Sequence, residues 1–297
     1  MIRRIANISE TKAIIEKYGF SFQKRFGQNF LIDSNIIDKI IQGAELTKED
    51  VVLEIGPGIG SLTQAMAESA KKVIAVEIDK KLIPVLEDTL SGYDNVRIIN
   101  EDILKLDIMK VISEEGVDNI KVVANLPYYI TTPIIMSLLE KRLPILSITV
   151  MIQKEVAERM DAVPGTKAYG SLSLATSYYA KTELITMVKP DCFIPKPSVG
   201  SAVIRLTRRD VPSVKVVDEV ILFKIIKGGF AQRRKTLINS LTNSQPLFDK
   251  RQVNQALEDL NLDLRIRGEA LNLNQYAQLT NKLIELAAIE SNKPSHM

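Results

Sequence analysis

Tryptophan is absent from the chain, aromatic residues make up only 5% of its 297 positions, and there is one cysteine and one histidine. Cys192 has no intrachain partner, which excludes a disulfide-stapled secreted scaffold and points to a reducing cytoplasm. His296 belongs to a Ser-His-Met ending and is set aside. Neither a histidine general base nor a Cys/His metal site is therefore expected, and no metal. No apolar run approaches the ~20 residues of a membrane span, Leu146–Ile152 being about the longest. The first dozen residues, with Arg3, Arg4, Asn7, Glu10 and Lys12, contain no signal-peptide hydrophobic region. What is present is the balance of a soluble globular protein, 45% hydrophobic and 25% charged, long enough for about two domains.

Charge is unevenly placed. Residues 51–195 carry 15 basic and 19 acidic groups, whereas residues 196–297 carry 16 and 10, and residues 1–25 carry six and two. A mildly acidic centre with basic ends suits an anionic partner gripped at the ends, although a merely solvated surface has the same composition.

Apolar runs of strand length alternate with helical spacing through two thirds of the chain. Val51–Ile55, Val73–Val76, Val96–Ile99, Val122–Ala124 and Leu146–Ile152 are short, continuous and β-branched, as strands covered on both faces are. Helices are predicted from the Asp33 cap through Ala44, and near Ser61–Ser69, Leu82–Leu90, Pro133–Lys141 and Leu172–Ala180, with Pro84 awkward in the third. Glu183–Val188 and Ala202–Leu206 complete a mostly parallel seven-stranded sheet in an α/β fold. Beyond Arg209 the pattern is helical only: Val217–Gly228, Phe230–Leu241, Arg251–Leu260 and Gln275–Ala288. The boundary is placed at residue 209, giving domains 1–209 and 210–297.

Three motifs carry chemistry. Glu54-Ile-Gly56-Pro-Gly58-Ile-Gly60 ends the first of those strands, and its glycines permit a tight turn and close approach of a ligand. A dinucleotide fingerprint would place its third glycine at position 61, where Ser61 stands. The acid two residues ahead of the glycines is also the methyltransferase pattern, and an ordinary glycine turn remains the alternative. Glu77 ends the second strand, where a carboxylate can accept hydrogen bonds from both ribose hydroxyls of a nucleoside cofactor. Asp102 follows the third strand and can receive an adenine amino group, with Ile78 and Ile103 packing on the ring faces. Singly these acids read as loop residues or caps. Three of them at successive strand ends, where open α/β sheets bind ligands, form a stronger set.

Asn125-Leu126-Pro127-Tyr128-Tyr129 follows the fourth strand. A neutral aryl amine is a poor nucleophile because its lone pair is delocalised into the ring. Accepting its two N–H groups favours the tetrahedral nitrogen that attacks. The Asn125 side-chain oxygen and the Leu126 carbonyl can supply those two acceptors. Pro127 would stiffen the turn, and Tyr128 can stack on a flipped base. The alternative is a capped turn around a buried tyrosine.

With these residues the chain resembles, over nearly its whole length, the ribosomal RNA small-subunit adenine N6,N6-dimethyltransferases of the KsgA type. Gln28-Asn29-Phe30-Leu31 is similar to that family's N-terminal cofactor segment, which implies that Asn29 and Leu31 contact the cofactor. Glu54 to Gly60, Glu77, Asp102 and Asn125 to Tyr128 match its cofactor and target-base motifs in order. Phe193 in Phe-x-Pro-x-Pro-x-Val matches a second aromatic that sandwiches the target adenine. Phe230-Ala-Gln-Arg-Arg-Lys-Thr-Leu237 and Arg267-Gly-Glu-Ala-Leu271 resemble motifs of the family's small helical domain. Gly200, before Ser201, stands where a more polar residue is expected.

The resemblance implies a Rossmann-like methyltransferase domain and S-adenosylmethionine as methyl donor. It also implies dimethylation of two adjacent adenosines in a hairpin near the 3′ end of 16S rRNA, late in small-subunit assembly, and nothing in the sequence suggests more than a monomer. Arg233, Arg234 and Lys235, with Lys24 and Arg25, are the candidate RNA contacts. The competing view of the first three is the wet side of a helix whose apolar face holds Phe230, Leu237 and Leu241. Two rival functions stand beside this one. One is the erythromycin-resistance type acting on large-subunit RNA; the other is an RNA-binding assembly factor with vestigial catalysis.

Overall fold

The computed structural model describes residues 4–19, 28–244 and 247–291. The chain forms two compact units, Met1–Ala157 with Lys181–Arg208, and Glu158–Ala180 with Arg209–Met297. Division therefore falls after Arg208, but residues 158–180 leave the first unit, which a single boundary at 209 does not provide.

The first unit is built on strands β2 (Val51–Ile55), β3 (Lys72–Glu77), β4 (Val96–Asn100), β5 (Ile120–Asn125), β6 (Ile145–Gln153), β7 (Ala180–Val188) and β9 (Ser201–Arg208). Their order is β4-β3-β2-β5-β6-β9-β7. The five strands from β4 to β6 are parallel, and β9 runs antiparallel to β6. All five residues of β2 are buried, which is why that strand reads as an unbroken apolar run. The chain moves outward from β2 to β3 and β4, then returns to β5 beside β2. That reversal opens a crevice at the carboxyl ends of β2 and β5.

Helix α1 (Ile8–Lys17) precedes a two-residue strand, β1 (Phe30–Leu31), which pairs antiparallel with β8 (Phe193–Ile194). Helix α2 (Ser34–Gly43) starts on Asp33, whose carboxylate accepts from the Asn35 N–H. Helix α3 (Ser61–Ser69) is followed by α4 (Ile83–Thr89), where Pro84 falls in the first turn and forfeits no intrahelical bond. The remaining helices of this unit are α5 (Ile108–Glu114), α6 (Thr131–Glu140) and α7 (Lys154–Met160), the last of which straddles the boundary.

In the second unit α8 (Ser171–Tyr179) joins α9 (Glu219–Ala231), α10 (Leu237–Ser244), α11 (Lys250–Asp259) and α12 (Leu273–Ser291). Residues 158–180 belong there because their aromatics do. The hydroxyls of Tyr178 and Tyr179 both donate to Glu219, at 3.1 and 2.7 Å. The Tyr169 ring meets Phe230 edge-on, and its hydroxyl donates to the Leu271 carbonyl at 2.8 Å.

The helix predicted over Phe230–Leu241 is broken. Backbone angles of φ −133° and ψ 70° at Gln232 end α9. The turn is held because the Leu237 N–H finds the Ile266 carbonyl at 2.7 Å and the Ser240 hydroxyl donates to Gly228 O at 2.6 Å. Among the described residues no helix is long and apolar enough to cross a membrane, and no group of three His, Cys, Asp or Glu is arranged to hold a metal.

Candidate active site

The crevice at the β2/β5 reversal is a cleft walled by the glycine turn, the acidic strand ends, the Asn125–Ile130 segment and Gln28–Leu31. Gly56, Gly58 and Gly60 adopt φ of +69°, +63° and +92°, a region that side chains resist. At Gly58 a Cβ would also stand 3.1 Å from the Phe30 ring, so the turn and β1 pack as closely as a glycine allows.

Glu77 accepts from the backbone N–H of Asp79 at 2.8 Å and more weakly from that of Gly58 at 3.4 Å. Burial outweighs those donors and raises its carboxyl to about 7. Burial likewise raises Glu54 to about 8, and its Oε2 has no hydrogen-bond partner among the described residues. Asp102 is half-buried and accepts from the Leu104 N–H at 3.0 Å. Ile78 is 45% exposed inside the cleft, while Ile103 lines it from a buried position.

At the end of β5 the Asn125 amide donates through Nδ2 to the Asn29 carbonyl at 3.1 Å, so its Oδ1 is the end left to accept. Leu126 is buried, and its N–H donates to Met151 O at 3.1 Å. The Pro127 carbonyl takes Ile130 N–H at 3.2 Å and Thr131 Oγ1 at 2.9 Å, closing the turn that displays both tyrosines. The Tyr128 hydroxyl lies 2.6 Å from Ser201 Oγ on β9.

Asn29, Leu31, Glu54, Gly56, Gly58, Glu77, Ile78, Asp102, Ile103 and Asn125–Tyr128 all line this cleft, while Gly60 sits just behind it as the N-cap of α3. Phe193 does not line it. Its register opposite Leu31 places it in the core with Ile36 and Ile37, 3% exposed. Three residues to which the sequence assigned no role take part. Ser201 anchors Tyr128, Gln28 donates to Asp79 at 3.0 Å, and Tyr129 is 56% exposed at the cleft. Gln28 and Tyr129 left a signal, as members of their motifs, and Ser201 left none.

The basic candidates lie in the second unit. Arg233 is not a free cation: its guanidinium donates to Glu269 at 3.0 and 2.8 Å and to Lys167 O at 3.0 Å. Arg234 and Lys235 are exposed, in a turn rather than on a helix. Lys24 and Arg25 lie outside the described residues.

A glycine turn, three strand-end carboxylates and an Asn-Leu-Pro-Tyr turn on a parallel sheet define a nucleoside-cofactor-dependent methyltransferase of the amine-modifying class. Residues 19–285 match the family model described as ribosomal RNA adenine dimethylase, and the chain belongs to that family. It is 57% identical, over 93% of its length and 96% of the relative's, to ribosomal RNA small subunit methyltransferase A of Lachnoclostridium phytofermentans. The protein of the same name from a Geobacillus strain is 55% identical over 95% and 99%. A dimethyladenosine transferase from Plasmodium falciparum superposes with a TM-score of 0.72 at 27% identity, covering 87% of this chain and 98% of that one. The 23S rRNA methyltransferase ErmE gives 0.66 at 28%, covering 86% and 100%. The fold is thus common to both kinds of RNA methylase, and the high identity lies with the small-subunit enzymes.

Proposed function

We propose that the protein uses S-adenosylmethionine to dimethylate N6 of two adjacent adenosines in a hairpin near the 3′ end of 16S rRNA. It would do so in the cytoplasm, as a monomer, late in small-subunit assembly. The residues present suit that cofactor. At Gly58 a Cβ would crowd the Phe30 ring, and the buried carboxyls of Glu54 and Glu77 line the cleft, the first with an unpartnered oxygen among the described residues. When bound, the cofactor supplies an electrophilic methyl group on a sulfonium centre.

Glu77 would accept from the ribose hydroxyls and Asp102 from the adenine amino group, with Ile78 and Ile103 against the ring. Asn29 and Leu31 would close over the methionine end, with Glu54, Gly56, Gly58 and Gly60 shaping the floor. Asn125 Oδ1 and the Leu126 carbonyl would accept the two hydrogens of the target amine, leaving its lone pair free to attack. Pro127 fixes the turn and Tyr128, braced by Ser201, stacks on the flipped base. Positioning and aligned acceptors supply the rate enhancement. No general base is needed, because the methylated amine is acidic and releases its proton to water. Phe193 is given no stacking role, since it is buried in the core. Arg234 and Lys235, with Lys24 and Arg25, hold phosphates without reading sequence.

The observation that carries this reading is the Asn125 amide, pinned at its nitrogen by Asn29 and left with an acceptor in the cleft. The test is methyl transfer from labelled cofactor to unmethylated small subunits, free 16S rRNA and free large-subunit RNA, with the label mapped. Dimethyladenosine in small subunits is expected. Label confined to large-subunit RNA would mean a resistance-type enzyme, and tight subunit binding without label an assembly factor.

A further inference from the structure

Tyr128 and Tyr129 occupy the two central positions of the turn closed by the Ile130 N–H and the Pro127 carbonyl. They part company there. Tyr128 is half-buried and tied to Ser201, whereas Tyr129 is 56% exposed yet lines the same cleft. A large aromatic left half in water on the wall of a pocket offers its ring face to whatever fills that pocket. The acidic strand ends Glu77 and Asp102 line the same cleft as Tyr129. Burial, then the carboxylates of Asp102 and Glu77, raise its hydroxyl above the ordinary tyrosine value. Among the described residues, the one other large, well-exposed apolar side chain on this cleft is Ile78, which belongs to that same side.

We infer that Tyr129 is a cofactor-contacting residue that closes the mouth of the cleft over the adenosine half of the cofactor. The inference rests on the S-adenosylmethionine reading above. An aromatic face laid against a planar base is a sequence-tolerant contact worth a measurable part of the affinity. Tyr128 and Tyr129 then divide the work, one for each base that enters.

The experiment is calorimetric titration of wild type, Tyr129→Phe and Tyr129→Ala with S-adenosylmethionine and, separately, S-adenosylhomocysteine, together with the RNA KM at saturating cofactor. Tyr129→Ala is expected to weaken both ligands by the same factor, about five- to a hundredfold, since they share the adenosine. Tyr129→Phe keeps both affinities within about threefold because the ring face makes the contact. The RNA KM is expected to stay within about twofold of wild type. Loss of S-adenosylmethionine alone would overturn the adenosine placement in favour of the sulfonium. An unchanged cofactor affinity with a raised RNA KM would overturn it in favour of the RNA. Wild type that binds neither ligand would sink the cofactor reading itself, before the variants are compared.

Discussion

The side chain of Asn125 donates to the main-chain carbonyl of Asn29, ninety-six residues earlier, at 3.1 Å. The bond joins the end of β5 to the segment just before β1, and it decides which end of the amide faces the cleft. On the proposed reading, an amide that could turn over would present a donor to the target amine half the time, and a donor there opposes the reaction.

Asn125→Ala removes that acceptor. Turnover under saturating substrates is expected to fall about 10²–10³-fold, in line with loss of one preorganised hydrogen-bonding group. The dissociation constant for S-adenosylmethionine should stay within about threefold. Single-turnover kinetics with equilibrium binding check both, and near-normal turnover would remove Asn125 from its role.

The raised carboxyls make cofactor binding and stability run in opposite directions with pH. Glu77, raised to about 7 by burial, and Glu54, raised to about 8, prefer to be protonated in the folded protein. Their contribution to the stability of the free protein is fully present below the ordinary carboxyl value of 4.5 and is lost as pH rises through about 7 and 8. Ribose hydroxyls donate to the ionised form, so affinity for S-adenosylmethionine should tighten as pH rises from 6 to 8. Glu77→Gln should weaken binding and flatten that profile. A wild-type profile already flat across this window would rule out Glu77 as the titrating acceptor.

Arg233 and its neighbours should behave oppositely, despite their similar sequence. Arg233→Ala breaks the contacts with Glu269 and Lys167 O, so the melting temperature should fall by a few degrees with Glu269→Gln acting in the same direction. Arg234→Glu and Lys235→Glu should leave melting nearly unchanged. Removing a cation that neutralises one phosphate lowers the slope of log affinity against log salt by about 0.7–0.9. Salt titrations of 16S rRNA binding distinguish the two classes.

Phe193→Ala is expected to cost about 3–5 kcal/mol of stability, the range for truncating a buried phenylalanine. Residual activity per folded molecule should stay near wild type. Denaturant unfolding together with kcat on the folded fraction checks this. A selective loss of kcat without destabilisation would restore the aromatic to the target base.

Much was already determined by local sequence. The parallel strands are covered on both faces, so each reads as an unbroken β-branched run, and Val51–Ile55 and Ser61–Ser69 coincide with observed elements. That Gly56, Gly58, Glu77, Asp102 and Asn125–Tyr128 line one cleft was legible because what stands at a strand end depends on a few consecutive residues. Tertiary structure alone decided the rest, because those outcomes depend on partners far along the chain. The α9–α10 break needs the Ile266 carbonyl, the burial of Phe193 needs Leu31 opposite it, and the placement of residues 158–180 needs Glu219 and Leu271. The side-chain oxygen of Asn125 and the ring of Tyr128 are aimed by Asn29 and Ser201, through hydrogen bonds that no spacing rule encodes.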